Sequence, residues 1–285
     1  MMTAEIISGK ELAAAKREEL KKECSALKED GITPGLAVIL VGENPASQTY
    51  VRGKQRDCEK VGIDSILKEL PASISEEALL EEVNRLNKDD KIDGILVQLP
   101  LPDHISEHKV IESISPEKDV DGFHPINVGR MMIGEEAYLP CTPFGILEMV
   151  KSKGIDIDGK HVVVVGRSNI VGKPVGQLFL KEHATVSYTH SHTADLQEMT
   201  RQADILIAAV GKAKMIGADD VKKGAVVIDV GMNRDENGKL CGDVDYDEVE
   251  KVASYITPVP GGVGPMTRTM LLVNTIRSAK RRKLK

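Results

Sequence analysis

The sequence predicts an α/β protein in two domains, and three observations lead there. A continuous apolar run at residues 36–41, a mostly apolar run at 94–99 and a β-branched run at 161–165 stop at glycine or proline, the pattern of strands buried on both faces. Between them lie stretches of helical periodicity, so strand alternates with helix, and the connections of such an alternation put the strands parallel. The pattern pauses over an irregular segment near residues 118–140 and then starts afresh, and 285 residues suffice for two cores.

In chain order, residues 9–30 form an amphipathic helix with Leu12, Ala13, Leu20 and Leu27 among its apolar positions and Gly31 as its stop. After the strand at 36–41 and Gly42, Asn44 is the N-cap and Pro45 the first-turn residue of a second helix. That helix carries Tyr50 and Lys54 four residues apart on one face. Taken alone, such a pair is a ring packed under a lysine stem. A strand at 63–70, a helix at 75–87 and a strand at 94–99 follow, then Pro100-Leu101-Pro102 breaks the chain before a helix at 105–114. Residues 118–125 are a loop, the segment to Pro140 is an irregular connection, and Thr142-Pro143 caps a linking helix that runs to Lys151.

The second unit has strands at 161–165, 185–188, 205–209, 226–230 and 254–257, with helices at 173–182, 194–201 and 218–222. This is a doubly wound, Rossmann-like nucleotide-binding pattern. A last helix at 266–280 returns to the first domain, which is therefore 1–139 with 266–285, around a second domain of 140–265.

Composition narrows the function. With 41% hydrophobic and 29% charged residues the chain reads as soluble and globular. A net charge of −6 argues against general nucleic-acid binding, and the basic run at 279–285 reads as a solvated end. Cys24, Cys58, Cys141 and Cys241 lack Cys-x-x-Cys spacing, which points to reduced thiols rather than disulfides or structural zinc. Charged residues from Glu5 onward exclude an ordinary secretory signal, and no apolar run approaches the roughly 20 residues of a membrane span. A cytoplasmic protein without membrane partners is expected.

Gly166-Arg167-Ser168-Asn169-Ile170-Val171-Gly172 lies between a strand and a helix, where backbone N–H groups receive a pyrophosphate. An NAD site usually places a carboxylate about 20 residues further on. Here that region reads Ser187-Tyr188-Thr189-His190-Ser191-His192, and with Arg167 in the loop the expected cofactor is NADP. Asp229-Val230-Gly231-Met232, at the end of another strand, reads as the nicotinamide-side contact. Pro260-Gly261-Gly262-Val263-Gly264 allows a ligand close to the backbone, or serves as a hinge. No metal is expected. His104-Ile105-Ser106-Glu107-His108 has a zinc-peptidase spacing but no further ligand nearby, and the Asp243-Val244-Asp245-Tyr246-Asp247 run lacks the glycine and glutamate of a calcium loop.

Together with the glycine loop, four further motifs resemble one family: Tyr50-Val51-Arg52-Gly53-Lys54, Val97-Gln98-Leu99-Pro100-Leu101-Pro102, Lys118-Asp119-Val120-Asp121-Gly122-Phe123-His124-Pro125, and the run from Pro258 to Thr267. The family is the bifunctional methylenetetrahydrofolate dehydrogenase/methenyltetrahydrofolate cyclohydrolases. The resemblance covers nearly the whole chain and implies two domains flanking a cleft. It implies NADP-dependent oxidation of 5,10-methylenetetrahydrofolate and hydrolysis of the methenyl product to 10-formyltetrahydrofolate, in one-carbon metabolism and purine biosynthesis. Carried onto this chain, Tyr50 stacks on the folate, Lys54 is the acid–base residue, Gln98 orients it, and Asp121 holds the pterin's amino edge. Leu99, Pro100, Pro260, Gly261, Gly262 and Gly264 complete the substrate side, and Gly166, Arg167, Ser168, Ser191 and Met232 the cofactor side. The resemblance also implies a homodimer formed through the nucleotide-binding units.

Hydride transfer needs only positioned carbons, whereas hydrolysis needs a base, so Lys54 is expected to be partly desolvated. Met232 stands where relatives commonly have isoleucine, and Arg130 where an apolar residue often follows the glycine. The alternatives are a dehydrogenase with a silent hydrolase site and a non-catalytic NADP-binding module.

Overall fold

The computed structural model describes residues 3–282, so Lys283, Leu284 and Lys285 of the basic run lie outside the described residues. Along the chain the elements are β1 (Glu5–Ile6), α1 (Gly9–Glu29), β2 (Gly35–Val41), α2 (Pro45–Val61), β3 (Asp64–Leu70), α3 (Glu76–Asn87) and β4 (Gly94–Val97). Next come α4 (Glu107–Ser113), α5 (Pro125–Met132), α6 (Cys141–Ser152), β5 (His161–Val165), α7 (Gly172–Lys181), β6 (Thr185–Thr189), α8 (Leu196–Thr200) and β7 (Ile205–Ala208). The last are β8 (Val226–Asp229), β9 (Asn233–Arg234), β10 (Leu240–Cys241), α9 (Tyr246–Val249), β11 (Tyr255–Ile256) and α10 (Val263–Arg282).

They fall into two compact units, one of Ala14–Cys141 with the chain from Arg268, the other of Thr142–Thr267 with the chain up to Ala13. In the first unit three parallel strands lie in the order β3-β2-β4, and every residue of the central strand β2 is buried. Ile39 and Ile95 from the sheet meet Leu79 and Val83 from α3 in one core. Burying each such side chain contributes about 1.5–3 kcal/mol. The loop after α4 joins this sheet, because Ile95 N donates to Lys118 O at 2.8 Å and Ile95 bridges Asp119 in parallel fashion. The register thus lays the aspartate loop alongside β4.

In the second unit six parallel strands run β1-β11-β8-β7-β5-β6. The strand order reverses direction at β5, with β6 on one side and β7 on the other, which makes the carboxyl ends of β5 and β7 the topological switch point. Val163, Leu206, Val227 and Ile256, one from each of β5, β7, β8 and β11, pack in its core.

Several sequence expectations change. The start of the chain does not stay with residues 14–139, since β1 pairs with β11. The segment before Pro140 is not wholly irregular: Pro125 opens α5, and His124 Nδ1 accepts the Ile126 N–H at 3.1 Å as its cap. The helix expected at 218–222 is only a 3₁₀ turn, Ala218–Asp220. β4 stops at Val97, short of the expected 99, and α10 begins at Val263, ahead of the expected 266.

Candidate functional site

The first constellation starts from the stripe Ser47, Val51, Lys54, Cys58 and Val61, which at helical spacing is the buried face of α2. Asn44 Oδ1 accepts the Ser47 N–H at 3.1 Å and Pro45 leads the first turn, so the sequence places this start as expected. Lys54 therefore occupies a core position and is 5% exposed. Its Nζ lies 4.8 Å from the centroid of the Tyr50 ring and donates to Gln98 Oε1 at 3.0 Å. Gln98 is held from below: its N–H donates to Ile39 O at 2.9 Å, and its Nε2 donates to Leu99 O at 2.7 Å.

Asp121 completes this group from the loop after α4. Asp119, buried at 2% exposure, accepts hydrogen bonds from the N–H groups of Gly122, Phe123 and His124 and from Asn127 Nδ2 at 2.8–3.2 Å. Those four donors fold the loop around one carboxylate. Gly122 has φ +78°, and a Cβ there would lie 2.6 Å from the carbonyl carbon of Leu139 and from Pro140 N, so only glycine fits. Cys141 closes the loop, its N–H donating to Asp121 O and its Sγ to Val120 O, both at 3.3 Å.

Electrostatically the group is poised between charge states. Burial pushes the Lys54 pKa down; Asp121, Cys141 and Cys58 oppose that, while Arg268 adds to it. Burial pushes the Asp121 carboxyl up, Lys54 opposes and Asp119 reinforces the rise. The Cys141 thiol is raised well above its ordinary value by burial and then by Asp121. A buried amine with a lowered pKa, fixed over a ring and against an amide oxygen, has the surroundings that a lysine general base requires.

The second constellation lies at the carboxyl ends of the six-stranded sheet. After β5, Gly166 has φ +131°, and a Cβ there would overlap Ala209 O in the loop after β7, so the two loops flank the switch point at backbone distance. Ser168 Oγ accepts the N–H groups of Val171 and Gly172 at 3.2 Å and organises the start of α7. Arg167 is exposed and its charge acts on His190, whose pKa is lowered by desolvation first, then by Arg167 and His192. His190, Ser191 and His192 follow β6, so hydroxyl and imidazole groups stand where a carboxylate is absent. Asn169, Ile170 and Lys173 project from the same turn, with Lys173 Nζ on Asn169 Oδ1 at 2.7 Å.

After β8, Met232 is 65% exposed, whereas the Asp229 carboxylate is turned inward to the N–H groups of Gly231, Asp243 and Val244 at 2.9–3.0 Å. Within that stretch Asp229 is thus a backbone clamp, and Met232 is the side chain left exposed. After β11, Pro260 follows a cis bond, Gly261 has φ +104° and passes its carbonyl to Lys10 N at 2.9 Å, and Gly264 belongs to the first turn of α10.

Tyr50, Lys54, Gln98 and Asp121 are brought together, with Leu99 and Pro100 continuing from Gln98; Gly166, Arg167, Ser168, Ser191, Met232 and Pro260–Gly264 share one end of the other sheet. Sequence reasoning passed over Cys141, Asp119 and Asn274, which shape the aspartate loop, and Asp243, which accepts four hydrogen bonds from Val210, Gly211, Lys212 and Asn233. Asp119 stands two residues before Asp121 in the same motif; the others carry no local signal. Of the metal-like pattern, His104 Nε2 meets Ile74 O at 2.8 Å and His108 pairs with Glu112 at 3.1 Å.

Two family models match the chain, the catalytic domain of tetrahydrofolate dehydrogenase/cyclohydrolase over residues 7–121 and its NAD(P)-binding domain over 140–283. The bifunctional protein FolD of Geobacillus kaustophilus (strain HTA426) is 70% identical over 279 residues, 98% of each chain. The solved structure of the bifunctional FolD dehydrogenase/cyclohydrolase from Campylobacter jejuni matches with a TM-score of 0.97 at 54% identity, over 99% of this chain and 100% of that one. The Trypanosoma brucei dehydrogenase-cyclohydrolase, solved with NADP cofactor and inhibitor, matches with a TM-score of 0.95 at 42% identity over 99% of each.

Proposed function

The chain belongs to the tetrahydrofolate dehydrogenase/cyclohydrolase family, and from that premise we propose how its residues divide two consecutive reactions. The protein is a bifunctional enzyme that oxidises 5,10-methylenetetrahydrofolate with NADP and hydrolyses the 5,10-methenyl product to 10-formyltetrahydrofolate. The observation that carries the division is Lys54: buried, over the Tyr50 ring, bonded to Gln98 and beside Asp121.

Tyr50 supplies the face on which the folate rests, and the Asp121 carboxylate takes the amino edge of the pterin, with Leu99 and Pro100 lining the same side. NADP, when bound, supplies the oxidised nicotinamide that accepts the hydride. Arg167, Ser168 and Ser191 suit a 2′-phosphate, since charge and hydroxyl groups replace the carboxylate that would repel it. Gly166 lets the backbone approach the pyrophosphate, Met232 is an exposed apolar contact, and Pro260, Gly261, Gly262 and Gly264 offer backbone to the folate.

No acid or base is required for the hydride step, which leaves the one-carbon unit as a methenyl cation. In hydrolysis water adds to that carbon and loses a proton to the neutral Lys54 amine. The carbon's bond to ring N5 then breaks and N5 takes up a proton, leaving the formyl group on N10. Gln98 keeps the amine aimed, and Tyr50 keeps the substrate still for both steps.

Residues 14–141 are assigned to folate and 142–267 to NADP, apart from the folate contacts given to Pro260–Gly264. No helix among the described residues is long and apolar enough to cross a membrane, and the four cysteines are free thiols, which supports a cytoplasmic enzyme serving purine biosynthesis. The open edge strand β6, with Tyr188 exposed, supports a homodimer through this unit, testable by sedimentation. The deciding experiment for the site assays Lys54→Met separately on the methylene and methenyl substrates: hydrolysis is lost and oxidation persists. Retained hydrolysis would remove Lys54 from the role of base.

A further inference from the structure

We propose that Asn274 is a positioning residue for the Asp121 carboxylate, an inference that rests on the folate-binding role given to Asp121. α10 carries Asn274 into full burial, 154 residues along the chain from Val120. Its Nδ2 donates to Val120 O at 2.9 Å and to Leu139 O at 3.0 Å, with Cys141 Sγ at 3.8 Å. These partners bracket Asp121. The Val120 carbonyl belongs to the peptide that leads into Asp121, and the segment from Leu139 to Cys141 packs on Gly122 and donates the Cys141 N–H to Asp121 O. One amide therefore ties both walls of the loop.

The other half of that amide sharpens the inference. Asn274 Oδ1 is buried and has no hydrogen-bond partner among the described residues. A buried acceptor left unpaired is costly, and an apolar side chain of the same size would avoid the cost. Packing alone thus favours leucine at this position. What leucine lacks is the pair of donors, and both reach the loop that presents Asp121.

The test uses the full chain and three variants, Asn274→Leu, Asn274→Ser and Asp121→Ala. Asn274→Leu keeps the branched shape and removes both donors, whereas Asn274→Ser retains one; if the leucine variant fails to fold, the serine variant is read in its place. The readouts are KM for methylenetetrahydrofolate, KM for NADP, the pH profile of hydrolysis and the melting temperature. The groups around the Lys54 amine are Asp121, Cys141, Cys58, Arg268, Gln98 and Tyr50. Asn274→Leu disturbs Asp121 and Cys141 among them, the two that hold its protonation up most strongly. The expected result is a folate KM raised roughly tenfold, an unchanged NADP KM, a hydrolysis limb moved to lower pH, and partial recovery in Asn274→Ser. Unchanged folate KM and pH profile in Asn274→Leu, with Asp121→Ala still impaired, would overturn the inference and leave the role of Asp121 standing. Equal losses for both substrates, tracking the melting temperature, would also overturn it. Normal folate KM in Asp121→Ala would remove the premise and the inference together.

Discussion

Lys54 Nζ donates to Gln98 Oε1 at 3.0 Å, and the same glutamine's Nε2 is tied to Leu99 O at 2.7 Å. The second bond fixes which end of the amide faces the amine, so the acceptor is presented and the donor is turned away. Gln98→Met keeps the length of the side chain and removes the acceptor. Hydrolysis should fall by about ten- to a hundredfold in kcat, with oxidation reduced far less. Parallel assays on the two substrates check this, and equal losses in both would reduce Gln98 to a substrate contact.

The pH dependence of hydrolysis follows from the groups around Lys54. With the neutral Lys54 amine as the proposed base, activity should rise with pH through the Lys54 pKa of the folded enzyme. Asp121 opposes the downward push of burial on that pKa. Asp121→Asn removes the opposition, and the rising limb should move to lower pH. Arg268, held on Asp57 Oδ2 at 2.8 Å, acts in the other direction, and Arg268→Gln should move the limb to higher pH. A profile of kcat against pH for the two variants measures both shifts; movement in the same direction would sink the assignment of the limb to Lys54.

Two glycines of neighbouring segments should respond oppositely to alanine. Gly122→Ala places a methyl against the Leu139–Pro140 backbone at φ +78° and should cost about 2 kcal/mol or more, with weaker folate binding. Gly129 is exposed within α5, where an added methyl would meet no atom within 4 Å, and Gly129→Ala should stabilise by about 0.5–1 kcal/mol. Urea denaturation of the two variants separates the cases.

The exposed Arg167 beside His190 offers the formal positive charge in the loop after β5. Arg167→Gln should raise KM for NADP roughly tenfold and leave KM for NAD nearly unchanged. Initial rates with each cofactor test this; equal rises would place Arg167 on a part common to both.

Much of this was legible along the chain. The apolar runs of β2 and β5, the cap at Asn44-Pro45 and the glycine turn at Gly166 are local features, and local sterics and hydrogen bonding already decide them. Tyr50 and Lys54 share a helix face for the same reason. β1, β9 and β10 were harder, because two residues carry no periodicity and their pairing is set by a partner elsewhere in the chain. α5 hid behind proline, which marks a break and a helix start equally well.

By itself the sequence determined the parallel α/β architecture, the order of motifs and the residue types available for acid–base and phosphate chemistry. Tertiary structure alone decided that Lys54 is almost fully buried, with its amine on Gln98 and beside Asp121 of the aspartate loop. It also decided that the Asp229 carboxylate clamps backbone, and that Asn274, far away in the chain, grips the loop of Asp121. Burial and long-range hydrogen bonds depend on which segments meet, and no local pattern records that.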